Sequence, residues 1–194
     1  MVFITVTIIS ASLRSDYRHL HHFISELGAT HTPANTLMNY GGFMLCGFLF
    51  DLFSIALIKI TPKRFIAKFG ATLILLFGTG MLLAGIFSCD PGCPAVGSLE
   101  STIHDRVSAV TFFSAILGML LLGFSFRKSD IFKPMASYTL LSGILSAILL
   151  VLMINSFETR TFTGLWQRLL LLSIFLWTSI TALRIYASEK VVSP

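Results

Sequence analysis

Long apolar runs separated by short polar clusters set the pattern of the chain. A membrane-spanning helix needs about 20 mostly apolar residues. By that measure the pattern predicts helices at about Pro33–Ile60, Phe69–Phe87, Arg106–Phe126, Pro134–Ile154 and Gly164–Tyr186. A shorter apolar run, residues 2–13, comes first. At about 1.5 Å per residue it falls well short of a ~30 Å hydrocarbon core. Two completions are open: the helix continues through RSDYRHLHHFISEL, or the true start lies upstream of Met1. No basic stretch precedes the run and no small-residue cleavage site follows it cleanly, which argues against a signal peptide.

Continuation has periodic support. Tyr17, Leu20, Ile24 and Leu27 fall at helical spacing on one face, and His19, His22 and Glu26 fall on the other. Gly28 is then placed to end the helix in a left-handed cap, with Thr32 as the next N-cap and Pro33 at the first helical position. The expected architecture is all-α: one polytopic bundle of six transmembrane helices over residues 1–194. Gly78, Gly80, Ala84 and Gly85 in the third helix, and Gly143 and Ala147 in the fifth, permit close helix contacts.

Composition agrees. The 194 residues are 55% hydrophobic and only 12% charged, with mean hydropathy +0.84, far from the soluble norm. The net charge of +5 does not indicate nucleic acid, because the basic residues gather in tight loops. Lys59, Lys63, Arg64 and Lys68, then Arg127, Lys128 and Lys133, then Arg184 and Lys190 make nine on one side, against Arg14, Arg18, Arg106, Arg160 and Arg168 on the other. The positive-inside rule then puts both termini in the cytoplasm. All five histidines, with Cys89 and Cys93, fall at the outer face.

Candidate chemistry gathers there. His22 and Glu26, four apart, are within reach of a hydrogen bond or a shared metal on a helix, although HLHH lacks zinc-protease spacing. Asp-Pro-Gly between Cys89 and Cys93 is a turn sequence. Outside the cytoplasm that pair favours a disulfide whose role is to fix Asp90, with metal ligation as the alternative. Cys46, inside an apolar run, reads as packing. His104 and Asp105 open the fourth helix, where an acid suits the dipole. Asp51, inside the second helix, either pairs with distant Arg184 or bonds locally. His22, Glu26, Asp90 and His104 are the candidate acid–base groups, and a buried Glu26 needs a cationic or hydrogen-bonding partner, for which Arg168 and a histidine are at hand. Arg18, Ser25 and Arg168 are the candidate binding residues. His22, Glu26 and His104 are the candidate ligands for a divalent metal, the only cofactor the residues suggest.

The motifs also carry a resemblance. ISELGA (Ile24–Ala29) with Asn35 or Asn39 after it, GxFxCDPGC (Gly85, Phe87, Cys89–Cys93), His104, and the GLWQR-like start of the last helix (Gly164–Arg168) resemble an uncharacterised family of small bacterial and archaeal membrane proteins, domain of unknown function 998. The likeness spans nearly the whole chain and implies fold and topology, and with them a location in a bacterial inner (plasma) membrane. It brings no activity.

Three functions remain open. One is a protein that binds or modifies a lipid headgroup from the outer leaflet. The second is a non-catalytic accessory subunit with a protein partner or a second copy, in which the polar cluster only ties loops together. The third is a small transporter or scramblase, disfavoured because the membrane interior is apolar except for Asp51.

Overall fold

The computed structural model describes residues 1–192, with side chains through Ser188, so Lys190 of the basic tail lies outside the described side chains. Among the described residues there are helices and no strands. Helix α1 is Val2–Ser12, α2 Leu45–Ile60, α3 Phe65–Ile86, α4 Leu99–Phe126, α5 Ala136–Asn155 and α6 Thr163–Val192. A π-helical stretch, Leu37–Met44, leads into α2, so that Leu37–Ile60 is one 24-residue span. Five helices are long and apolar enough to cross a membrane, while α1, at 11 residues, is not. Their outward faces carry Phe113, Phe124, Leu141 and Val151, all exposed, an apolar surface of the kind that faces a membrane interior or a partner protein.

The core runs down the axis through Phe77, Met119, Leu122, Leu170, Ile174 and Trp177. Two glycine crossings set the helix spacing. A Cβ on Gly47 of α2 would meet the Gly78 carbonyl of α3 at 2.6 Å, and one on Gly118 of α4 would meet the Gly70 carbonyl of α3 at 2.9 Å. Only glycine lets these backbones approach so closely. Inside the bundle the Trp177 indole donates to the Thr139 hydroxyl at 3.0 Å, whereas the buried hydroxyls of Ser10, Ser125 and Thr181 find no hydrogen-bond partner among the described residues. Asp51 neither bonds locally nor pairs with Arg184: it accepts from Thr79 of α3, across the helix contact, at 3.3 Å, and Arg184 donates to the Ile131 carbonyl.

The first helix does not continue past Ser12. Residues 14–23 form turns, and only Ile24–Leu27 coil again, as a 3-10 turn. Side chains divert the backbone. Arg14 grips Asp16 at 2.6 Å and also donates to the Glu26 carbonyl at 2.8 Å, while the Tyr17 phenol donates to the Phe23 carbonyl at 2.9 Å. The expected two-faced helix is thus replaced by a crossover that lies over one end of the bundle, with Tyr17, Ile24 and Leu27 buried and Leu20 exposed.

Other boundaries move too. Gly28 has φ −94°, not a left-handed cap. Thr32 caps nothing; its hydroxyl donates to the Leu27 and Ala29 carbonyls, and Pro33 precedes the helix. Helix α3 begins four residues before Phe69. Helix α4 begins at Leu99, where Ser98 accepts the Ser101 N–H as N-cap. His104 and Asp105 therefore stand inside its second turn and do not open it.

Candidate functional site

Three connections meet at the end of the bundle opposite the basic loops: the crossover 14–36, the CDPGC loop between α3 and α4, and the turn between α5 and α6. Their meeting point is Arg160, at φ +53°. Its guanidinium pairs with buried Glu26 at 3.3 Å, donates to the Gly92 and Cys93 carbonyls at 2.9 Å each, and lies over the Phe23 ring at 4.7 Å. One side chain thus joins all three loops. Glu26 also accepts the Phe23 N–H at 3.0 Å. Of the two partners expected for Glu26, Arg168 makes no ion pair with it and the nearest histidine, His22, lies 4.0 Å away. The structure supplies Arg160, because α5 ends in a tight turn with two left-handed residues, Arg160 and Phe162, that sequence does not announce. The principle that a buried carboxylate needs a cation held; the choice among the available arginines did not.

Cys89 and Cys93 are joined as a disulfide and Cys46 is free and buried. Gly92 takes φ +80°, a left-handed position that glycine adopts without steric cost, and it turns its carbonyl to Arg160. Asp90 faces the other way. Its carboxylate accepts the Ser98 N–H at 2.6 Å and the Ser98 hydroxyl at 2.9 Å, holding the residue that caps α4.

His104 is buried, and its Nδ1 lies 2.7 Å from the Phe87 carbonyl and 3.2 Å from that of Ala84. Both partners accept, so Nδ1 carries the proton and satisfies the open carbonyls at the end of α3. His22 lies 4.0 Å from Glu26, beyond hydrogen-bond reach, and its Nδ1 already accepts the Arg18 N–H at 3.3 Å. The Arg18 side chain is exposed. Among the described residues no group of three His, Cys, Asp or Glu side chains could hold a metal ion, so His22, Glu26 and His104 are not gathered as ligands.

The start of α6 carries the crossover. A Cβ on Gly164 would overlap the carbonyl oxygens of His22 and His19. Leu165 N–H donates to the Leu20 carbonyl, the Gln167 side chain accepts the Ile24 N–H at 2.6 Å, and Arg168 donates to the His22 carbonyl and the Tyr17 hydroxyl. Gly28 is required in the same way, since the Asn39 amide fills the space a Cβ would take, and Asn35 and Asn39 both donate to the Gly28 carbonyl.

Two grooves open beside this interlock. The larger, about 770 Å³, runs between α4 and α5, with Phe113, Met153, Ile154 and Phe157 among its walls and Ser25, His104, Asp105, Arg160 and Gln167 at its polar end. The smaller, about 380 Å³, lies between α1 and α6 and ends at His19 and Arg168. The candidate residues are therefore divided: Ser25 and His104 in one groove, Arg168 in the other, and His22, Glu26 and Asp90 lining neither.

The model of the family described as "Protein of unknown function (DUF998)" matches residues 1–184. The chain belongs to this family. No curated protein and no solved structure matches it. In this structure the ISELG, CDPGC and GLWQR segments lie together in the interlock.

Proposed function

We propose that this DUF998 protein binds a membrane lipid at the extracytoplasmic face, with the acyl chains between α4 and α5 and the headgroup at Ser25, His104, Asp105, Arg160 and Gln167. The observation that carries the reading is the larger groove, apolar along two spanning helices and polar at one end only. That distribution complements an amphiphile, and its volume suits a ligand of that size. The outer-face assignment rests on the charge bias of the loops. A cationic Arg160 beside an anionic Asp105 suits a headgroup that carries both signs.

The test is native mass spectrometry of the delipidated full chain titrated with phosphatidylethanolamine. Ala109→Trp, which fills the α4–α5 groove, is expected to abolish retained lipid while the protein stays folded. Unchanged retention in that variant contradicts the proposal.

A second reading, an accessory subunit whose polar cluster only ties loops together, is favoured by one observation. Glu26, Asp90 and the Nδ1 of His104 are all occupied by protein partners. Under that reading the groove binds no lipid selectively, and the same titration separates the two.

A further inference from the structure

We infer that the groove between α1 and α6 is a separate site for an anionic phospholipid, its phosphate held by Arg168 and His19. Charge is unbalanced at this groove. Arg168 is half-buried, and every partner it has is neutral: the carbonyls of His22 and Gly164, the Tyr17 hydroxyl at 2.5 Å, and His19 Nδ1 at 3.4 Å. Among the described residues the ion pairs are Arg14–Asp16, His22–Glu26 and Arg160–Glu26, so no carboxylate stands within ion-pair distance of Arg168. A cation taken partly out of water attracts a counter-charge, and a guanidinium is suited to a phosphate oxygen pair.

The surroundings define what brings that charge. Below Arg168 the groove is walled by Phe3, Ile4, Ile8, Leu172 and Phe175, a surface for acyl chains and not for a soluble anion. His19 adds a donor at the mouth. Because its Nδ1 accepts from Arg168, its proton sits on Nε2, which has no acceptor among the described residues. Burial, and then the neighbouring guanidinium, hold the His19 pKa below its ordinary value, so the permanent positive charge at this groove is that of Arg168. The contrast with the other groove is chemical: there Arg160 is already paired with Glu26 and Asp105 is present, whereas here no carboxylate lines the site. The two sites are independent, and this one stands whether or not the α4–α5 groove binds lipid.

The delipidated full chain is titrated with phosphatidylglycerol and with phosphatidylcholine of matched acyl chains, and bound lipid is counted by native mass spectrometry. A charge-assisted contact of this kind predicts about tenfold tighter phosphatidylglycerol binding. Ile8→Trp, which fills the groove at an exposed residue, is expected to remove that preference, and Ala109→Trp in the other groove to leave it intact. Arg168→Gln is expected to make the two lipids equal. Because Arg168 also holds the crossover, Ile8→Trp decides the outcome if Arg168→Gln does not fold. Equal binding of both lipids by the unmodified protein, a preference that survives Ile8→Trp, or displacement of phosphatidylglycerol by millimolar inorganic phosphate each overturns the inference.

Discussion

At the scale of single residues, the polar side chains of the membrane end act first on the backbone. Arg160 binds one carboxylate and two carbonyls in a fixed fork, a geometry an ammonium does not reproduce. Arg160→Ala should therefore lower unfolding stability by about 1–3 kcal/mol, and Arg160→Lys should recover little of it. The figure is held below that for a fully buried pair because the Arg160 side chain is 37% exposed. Reversible unfolding in mixed micelles measures both. Gly164→Ala should cost a similar amount, since its methyl group must displace the His19 and His22 carbonyls. His19 adds a pH dependence. Its folded pKa lies below the ordinary 6.5, owing to burial and to Arg168. As pH falls below about 6.5 the unfolded chain takes up this proton first, so stability present above that pH is lost toward the folded value. His19→Gln should flatten that part of the stability profile, read as the difference in slope from the unmodified protein.

At the scale of elements, the spanning helices were legible and the connections were not. Runs such as Leu37–Ile60 and Ala136–Asn155 are long, apolar and bounded by polar clusters, and their ends fall within a few residues of expectation, although α3 and α4 begin one to two turns early. The turn sequence Asp-Pro-Gly pointed correctly to the Cys89–Cys93 bridge. The crossover misled because Tyr17, Leu20, Ile24 and Leu27 happen to sit at helical spacing. What decides its path is long-range: Arg14 reaching the Glu26 carbonyl, Gln167 taking the Ile24 N–H, Arg168 taking the His22 carbonyl. No local window contains those pairs. Arg160 was invisible as a site residue for the same reason, being 134 positions from Glu26. The bridge gives a direct check at this scale. Thiol labelling of denatured protein, isolated without reductant, should find one reactive cysteine, Cys46, and three after reduction. Because the two cysteines are only four positions apart, chain entropy accounts for little stability. Reduction should instead loosen the Gly92 and Cys93 carbonyls and, with them, Arg160, seen as faster amide exchange at Glu26 and Phe23.

At the scale of the whole molecule, the chain is a helical bundle with basic loops at one end and the interlock at the other. The positive-inside count predicts that reporter fusions after Arg64 and after Lys128 behave as cytoplasmic and one near Gly97 as external. The reverse pattern would move the polar end to the cytoplasmic leaflet. The interlock covers one end of the bundle and leaves the α1–α6 and α4–α5 grooves open at its sides, the two places where lipid binding is proposed. The most direct measurement is photo-crosslinking in the native membrane, using phosphatidylethanolamine with a photoreactive group in its acyl chain, followed by peptide mapping. The account predicts labelling concentrated on Val110–Phe113 of α4 and Leu150–Ile154 of α5, and its loss in Ala109→Trp. Labelling spread evenly over the lipid-facing residues of α2, α3 and α5, and unchanged by Ala109→Trp, would contradict it.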